Sequence, residues 1–211
     1  MKQDLRERWG IDSPRLGRRL IQLYAGLILF GSSLALMVLS GLGLDPWDVF
    51  HQGLAAQTGL SLGTVVIGVG VVVMLLWIPL RQRPGIGTLS NVVVVGLAVD
   101  ATLLLLPSPE AVTLRVAFLI VGIVGNAVAT ALYIGAGLGP GPRDGLMTGL
   151  AQRGISVRFA RTSIEVSILA AGWLLGGTVG IGTVLYAVGI GPLVHILLPR
   201  LTVVSTTGDR R

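Results

Sequence analysis

The amino-acid sequence predicts an all-α transmembrane fold of six spans, arranged as two inverted three-span repeats, each with a short interfacial or re-entrant helix after its first span. Three observations carry this prediction. First, 52% of the 211 residues are hydrophobic and only 12% are charged, against about 25% charged in a soluble domain. So few charges cannot cover a water-facing surface. Second, six apolar stretches of 17–21 residues run along the chain. Each is near the length that crosses ~30 Å of hydrocarbon at about 1.5 Å per residue. Third, the two halves repeat one another at a nearly constant offset.

Composition narrows the class further. The 31 glycines suit helices that pack closely in a membrane, and the lack of a Gly-X-Y period excludes collagen. With no cysteine there is no disulfide, thiolate metal site or Cys nucleophile. The net charge of +6 reads as a topology signal and not as a nucleic-acid footprint.

Residues 1–19 are a basic tail holding Lys2, Arg6, Arg8, Arg15, Arg18 and Arg19. Trp9 and Ile11 in it suit either a short amphipathic piece on the lipid surface or a frayed cytoplasmic end. Membrane repeat 1 covers 20–107, membrane repeat 2 covers 115–200, and 201–211 is a second cytoplasmic tail. The first span, 20–40, is charge-free and too long for a signal-peptide core, so no cleavage is expected. The second, 64–80, closes on Arg81 and Arg83. The third, 88–106, is apolar except for Asn91 and Asp100. A loop with Glu110 and Arg115 leads to the fourth, 116–136, whose main polar group is Asn126. The fifth, 162–178, carries Glu165, and the sixth, 183–199, carries His195.

With the N-terminus inside, the inner segments are the first tail, 81–87, 137–161 and the last tail. They hold six, two, four and, with Arg200 at the inner end of the sixth span, three Lys/Arg, leaving only Arg115 of the 16 outside. That asymmetry predicts both termini cytoplasmic.

The chain reads GLGLDPWDVFHQGLAAQT at 41–58 and GLGPGPRDGLMTGLAQR at 137–153. At an offset of 96, falling to 95 after one gap near Ala56, Arg19 meets Arg115, Gly43 meets Gly139, Pro46 meets Pro142 and Asp48 meets Asp144. The tetrad GIGT at 85–88 meets GIGT at 180–183, and Asp100 meets His195. Apolar matches are cheap in membrane spans; matched Gly, Pro and Asp are not. Three spans per unit is odd, so the second unit is inverted, an architecture that recurs in secondary transporters with sites at the repeat interface.

GLGLDPWDVFHQGLA at 41–55, GLSLGT at 59–64, PGIGT at 84–88 and a span containing Asp100 resemble the YczE/YyaS/YitT family of bacterial membrane proteins. The resemblance covers roughly 18–200, with PWDVFHQGL its most specific string; in the second half Arg143 replaces Trp47 and Met147 replaces His51. It implies a membrane fold in the inner membrane, suggests transport, and carries over no catalytic residue.

Asp45 is a good N-cap and Pro46 suits the first helical position. The helix that follows is too short to span, so it either lies at the interface, where Trp47 and Phe50 suit headgroup level, or re-enters to line a cavity. In the second copy Gly141 replaces the capping carboxylate and Arg143 lies in the first turn. This end could hold an anion, or Arg143 could pair with the adjacent Asp144. Asp100 lies about 18 Å into its span, an expensive depth for an ionisable group, with His51 or Asp48 as its expected partner, either for proton exchange or as a structural hydrogen bond or cap holding the first motif against the third span. By symmetry His195 faces Arg143 and Asp144. An ion pair to Arg161, four residues earlier, accounts for Glu165, and interhelical hydrogen bonding for Asn91 and Asn126. The substrate-path candidates are therefore Asp45, Asp48, His51, Asp100, Arg143, Asp144 and His195.

The expected function is transport or permeation of a small solute by alternating access, with proton coupling through Asp100. The alternative is a non-transporting scaffold or accessory subunit of a partner complex. Enzyme chemistry is not expected, since the chain has no HExxH or Ser-centred motif and its GIGT and GLG strings are too short for phosphate loops. His51 and His195 fall in opposite membrane halves, so no shared metal and no cofactor are expected. The expected partners are the lipid bilayer and a small solute, not nucleic acid, and a homo-oligomer is compatible with the sequence.

Overall fold

The computed structural model describes residues 15–203, which are helical with no strand among them. The readings placed on Trp9, Ile11 and the basic residues before Arg15, and on residues 204–211, lie outside the described residues. The chain forms α1 (Leu16–Ser40), α2 (Pro46–Thr58), α3 (Leu62–Leu75), α4 (Trp77–Leu80), α5 (Ile86–Leu105), α6 (Val112–Gly135), α7 (Pro142–Ala151), α8 (Val157–Leu174) and α9 (Ile181–Leu201).

Local chemistry sets these boundaries. α1 ends where Gly41 turns left-handed, at φ 61°. α2 starts at Pro46 because Asp45 Oδ1 accepts the Asp48 N–H at 2.9 Å, and it stops at a left-handed Gly59. α3 starts where Ser61 Oγ accepts the Thr64 N–H. It breaks from α4 at Leu76, next to Leu75, whose carbonyl Pro79 leaves without a helical donor.

Among the described residues, five helical runs are long and apolar enough to cross a membrane: α1, α3 with α4, α5, α6 and α9. The stretch expected as the fifth span differs. It forms α8, which starts at Val157 and takes Arg158, Arg161 and Glu165 into its first half, so it is not among the five. The outward faces of the long helices carry Ile120 and Val121 on α6 and Val184, Leu185 and Val188 on α9, all exposed. Apolar faces of this extent suit lipid and not water.

At the centre α1 packs along α6, with α5 against α1 and α9 against α6. The α1–α6 pair is fastened at both ends by an arginine. Arg19 Nε and Nη2 donate to the carbonyls of Ala136 and Gly137 at 2.7 and 2.6 Å. Arg115 Nε and Nη2 donate to those of Ser40 and Gly41 at 2.7 and 3.2 Å. Each guanidinium satisfies carbonyls that a helix C-terminus leaves orphaned. Arg19 thus belongs to the packed core, 8% exposed, and not to the tail in which the sequence reading placed it.

The two motifs dock reciprocally. The N–H of Gly182, at the start of α9, donates to the Leu42 carbonyl at 2.8 Å, and that of Gly87, at the start of α5, donates to the Leu138 carbonyl at 2.8 Å. Each motif therefore seats on the GIGT turn of the other half. Gly43 and Gly139 make this approach with φ of 115° and 123°.

Candidate functional site

The site is built from the first turns of α2 and α7. The arginine clasps show that α1 and α6 are antiparallel, with Gly41 and Gly137 at opposite ends of the pair. With α1 at 25 residues, these ends stand roughly 35 Å apart at about 1.5 Å per residue. Yet Arg143 Nη1 lies 3.6 Å from Asp45 Oδ2, and Arg143 Nη2 lies 3.3 Å from Asp48 Oδ1. Residues 42–45 and 138–141 must therefore run inward from opposite ends, so that α2 and α7 both begin in the middle of the molecule.

The sequence reading gave Arg143 either the adjacent Asp144 or an anion as partner; the structure gives it Asp45 and Asp48 instead. Neighbours one apart on a helix do not face each other, so Arg143 turns to the first motif while Asp144 accepts the Tyr133 hydroxyl at 2.8 Å. The Arg143 guanidinium also lies 5.0 Å over the Trp47 ring, a cation–π contact. His51 Nδ1–H donates to Asp48 Oδ1 at 3.1 Å. Asp45, Asp48 and His51 are 1%, 0% and 2% exposed. Two carboxylates at such burial require a counter-charge, and Arg143 supplies it. Three further contacts hold the frame. Trp77 Nε1–H donates to the Pro142 carbonyl at 3.0 Å, Thr88 Oγ1–H donates to that of Pro140 at 2.7 Å, and Gln52 Oε1 accepts the Thr178 N–H at 2.7 Å.

A cavity of about 590 Å³ opens beside this cluster. Its wall includes Asp45, His51, Arg143, Asp144 and His195, with residues from both halves of the chain. His195 lines the same cavity as Arg143 and Asp144. Asp48 lies behind Arg143. Phe30, Tyr133 and Tyr186 also line the cavity, and the sequence reading passed over all three. A usable signal existed for the tyrosines: a hydroxyl inside an apolar span needs a hydrogen-bond partner, and Tyr133 and Tyr186 sit inside α6 and α9. Tyr186 meets Asn126 Oδ1 at 3.0 Å, the interhelical bond expected of Asn126. Arg161 and Glu165 form the expected pair at 3.0 Å.

Asp100 is elsewhere. It does not meet His51 or Asp48; its Oδ2 accepts from Ser61 Oγ at 2.6 Å and its Oδ1 from the Gly63 N–H at 2.7 Å. It caps the N-terminus of α3 from across the α3–α5 contact, satisfying a donor the helix leaves free. We expect Asp100→Ala to lower stability by about 1–2 kcal/mol and Asp100→Asn, which keeps an acceptor, by less. Thermal unfolding in detergent measures both, and equal melting of Asp100→Ala and wild type would remove the cap from the account.

Length, apolar faces and the buried polar centre define a multi-pass helical membrane protein with a solute-sized cavity between two paired motifs. The chain belongs to the family of unknown function DUF6198, whose model matches residues 17–199. It is similar to an uncharacterized protein of Haemophilus influenzae, 45% identical over 179 residues, which are 84% of this chain and 82% of that one. It is also similar to the uncharacterized membrane protein YczE of Bacillus subtilis, 33% identical over 204 residues (95% of this chain, 89% of that one). The uncharacterized protein YyaS of the same organism is 27% identical over 181 residues (82% and 89%). The resemblance read from the 41–55 string therefore holds for YczE and YyaS. No solved structure matches the chain.

Proposed function

We propose that the protein is a non-enzymatic inner-membrane transporter of a small solute, with α2 and α7 as re-entrant half-helices of two inverted three-span repeats. The observation that carries this reading is the convergence of the two motifs on one cavity, joined by Arg143 to Asp45 and Asp48. Half-helices that start at the midplane and flank a site at the repeat interface are a recurring construction of secondary transporters. Non-helical backbone such as 42–45 and 138–141 is tolerated at membrane depth only where protein or a cavity satisfies it. Both segments have such partners in the GIGT turns. In this reading α8 completes the six crossings as the fifth in chain order, with Arg158 and Arg161 toward the cytoplasm and Ile164, Ile168 and Leu169 packed toward α2 and α7.

Reporter fusions test the threading: those after residues 60 and 110 should report outside and the one after 155 inside, and an outside location for 155 would remove the inversion. Function is tested by uptake of a panel of amines, amino acids, carboxylates and sugars into proteoliposomes. At least one solute should enter at ten times the protein-free rate, and Arg143→Gln should abolish most of that gain. A flat panel together with a stoichiometric co-purifying protein would favour the accessory-subunit alternative.

A further inference from the structure

We propose that the cavity binds a small organic cation, one with an ammonium, amidinium or guanidinium head on an apolar body; this rests on reading the cavity as a solute site. Four observations point to that class. The first is charge. Asp45, Asp144 and Glu165 line the cavity, and Asp48 stands directly behind Arg143. Only Arg143 and Arg161 answer them. Arg161 is engaged with Glu165, so the centre keeps one more carboxylate than Arg143 neutralises, and Asp144 faces it with only a neutral hydroxyl as partner.

The second is an orphaned acceptor. Asp45 is 1% exposed and lines the cavity, yet its Oδ2 has no hydrogen-bond partner. Its nearest cation, Arg143 Nη1, is 3.6 Å away, too far for a hydrogen bond. A sealed carboxylate oxygen without a donor, in a residue that lines a cavity, calls for one from a ligand that takes the place of Arg143. The third is the wall. Phe30, Trp47, Tyr133 and Tyr186 line the cavity, and aromatic faces attract organic cations. The fourth is Arg143 itself. Its guanidinium rests on the Trp47 ring and on two carboxylates, so the protein already holds in place a cation of the proposed chemistry. The carboxylates are sealed, whereas the Arg143 side chain is 28% exposed; the arginine is the partner that an incoming cation displaces. A metal ion fits less well. No group of three or more His, Asp or Glu able to hold one occurs among the described residues.

The test uses three near-isosteric probes on the full-length protein in nanodiscs, read by isothermal titration: benzamidinium, benzamide and benzoate. Benzamidinium should bind at least tenfold more tightly than either other probe. Asp45→Asn, which keeps the cap and the shape, should cut that affinity at least tenfold, as should Asp144→Asn, also on the cavity wall. Circular dichroism and melting first establish that each variant is folded, and the three-probe comparison on wild type stands without them. Equal or tighter binding of benzamide or benzoate, or no binding of benzamidinium, overturns the proposal. Flux in proteoliposomes separates the two claims. Benzamidinium bound but never carried upholds the cation site and refutes transport. Carriage of a neutral or anionic solute without benzamidinium binding does the reverse.

Discussion

Arg143→Ala should lower the stability of the protein by about 3–5 kcal/mol, the usual cost of stripping a buried ion pair of one partner. The loss comes from what remains and not from the contact removed. Asp45 and Asp48 lie within the first turn of one helix, sealed from solvent, and Asp48 Oδ2, like Asp45 Oδ2, has no hydrogen-bond partner even with the arginine present. The positive end of α2 offsets part of the repulsion, and His51 donates to Asp48, but no other cation lies within ion-pair distance of either carboxylate among the described residues. The arginine also joins the two halves of the chain, so its loss loosens α7 from α2. Two companions sharpen the result. Arg143→Lys keeps the charge but loses the planar fork and should fall between wild type and Arg143→Ala. Adding Asp48→Asn to Arg143→Ala should restore part of the stability, because it removes one of the stranded charges. Melting of Arg143→Ala at the wild-type temperature would show that the cluster does not hold the motifs together.

Gly43→Ala should be nearly as damaging, and Gly139→Ala should match it. Both positions have positive φ, 115° and 123°, which costs an L-residue about 1–3 kcal/mol. Space makes it worse. A Cβ on Gly43 would stand 2.7 Å from the Gly180 nitrogen and 2.8 Å from Thr183 Oγ1. One on Gly139 would stand 2.8 Å from Thr88 Oγ1 and 3.1 Å from the Gly85 Cα. Those neighbours are mostly backbone and helix cap, so they yield poorly, and overpacking adds about 1–3 kcal/mol. The inward path of each motif would then shift, so we expect flux to fall with stability. Substitution at Gly59, where nothing crowds the added carbon, provides a control with the strain of φ 71° and no clash. If Gly43→Ala melts no lower than Gly59→Ala, reciprocal docking is not a determinant of the fold.

Much of the frame was legible because it rests on local chemistry. The apolar runs placed the helices to within a few residues. Asp45 followed by Pro46 marked the start of α2, and the i,i+4 spacing gave Arg161–Glu165. The repeat was read from matched residues, Arg19 with Arg115 among them, and these two arginines make like hydrogen bonds: Arg19 to Ala136 and Gly137, Arg115 to Ser40 and Gly41. What stayed hidden is long-range pairing. Nothing local distinguishes Arg143 beside Asp144 from Arg143 facing Asp48, 95 residues away, because the choice is made by two loops turning inward from opposite ends. Asp100 is a cap, as one of its two readings held, but on α3 and not on the first motif. Depth in an apolar run marks an ionisable residue as costly, but its cost is met by a helix N-terminus that the linear sequence does not place next to it. Arg19 and Arg115 were counted as topology signals because their charge was visible and their carbonyl partners were not.

In the transport we propose, the solute crosses between the two motifs. The chain has no cysteine, so Met147→Cys, on the cavity wall, supplies a single reporter thiol. In oriented vesicles, a membrane-impermeant methanethiosulfonate reagent should label it from either side, transported solute should slow the labelling, and modification should stop flux. A thiol that reacts from one side only under every condition, or that reacts with flux unchanged, would contradict passage between the motifs.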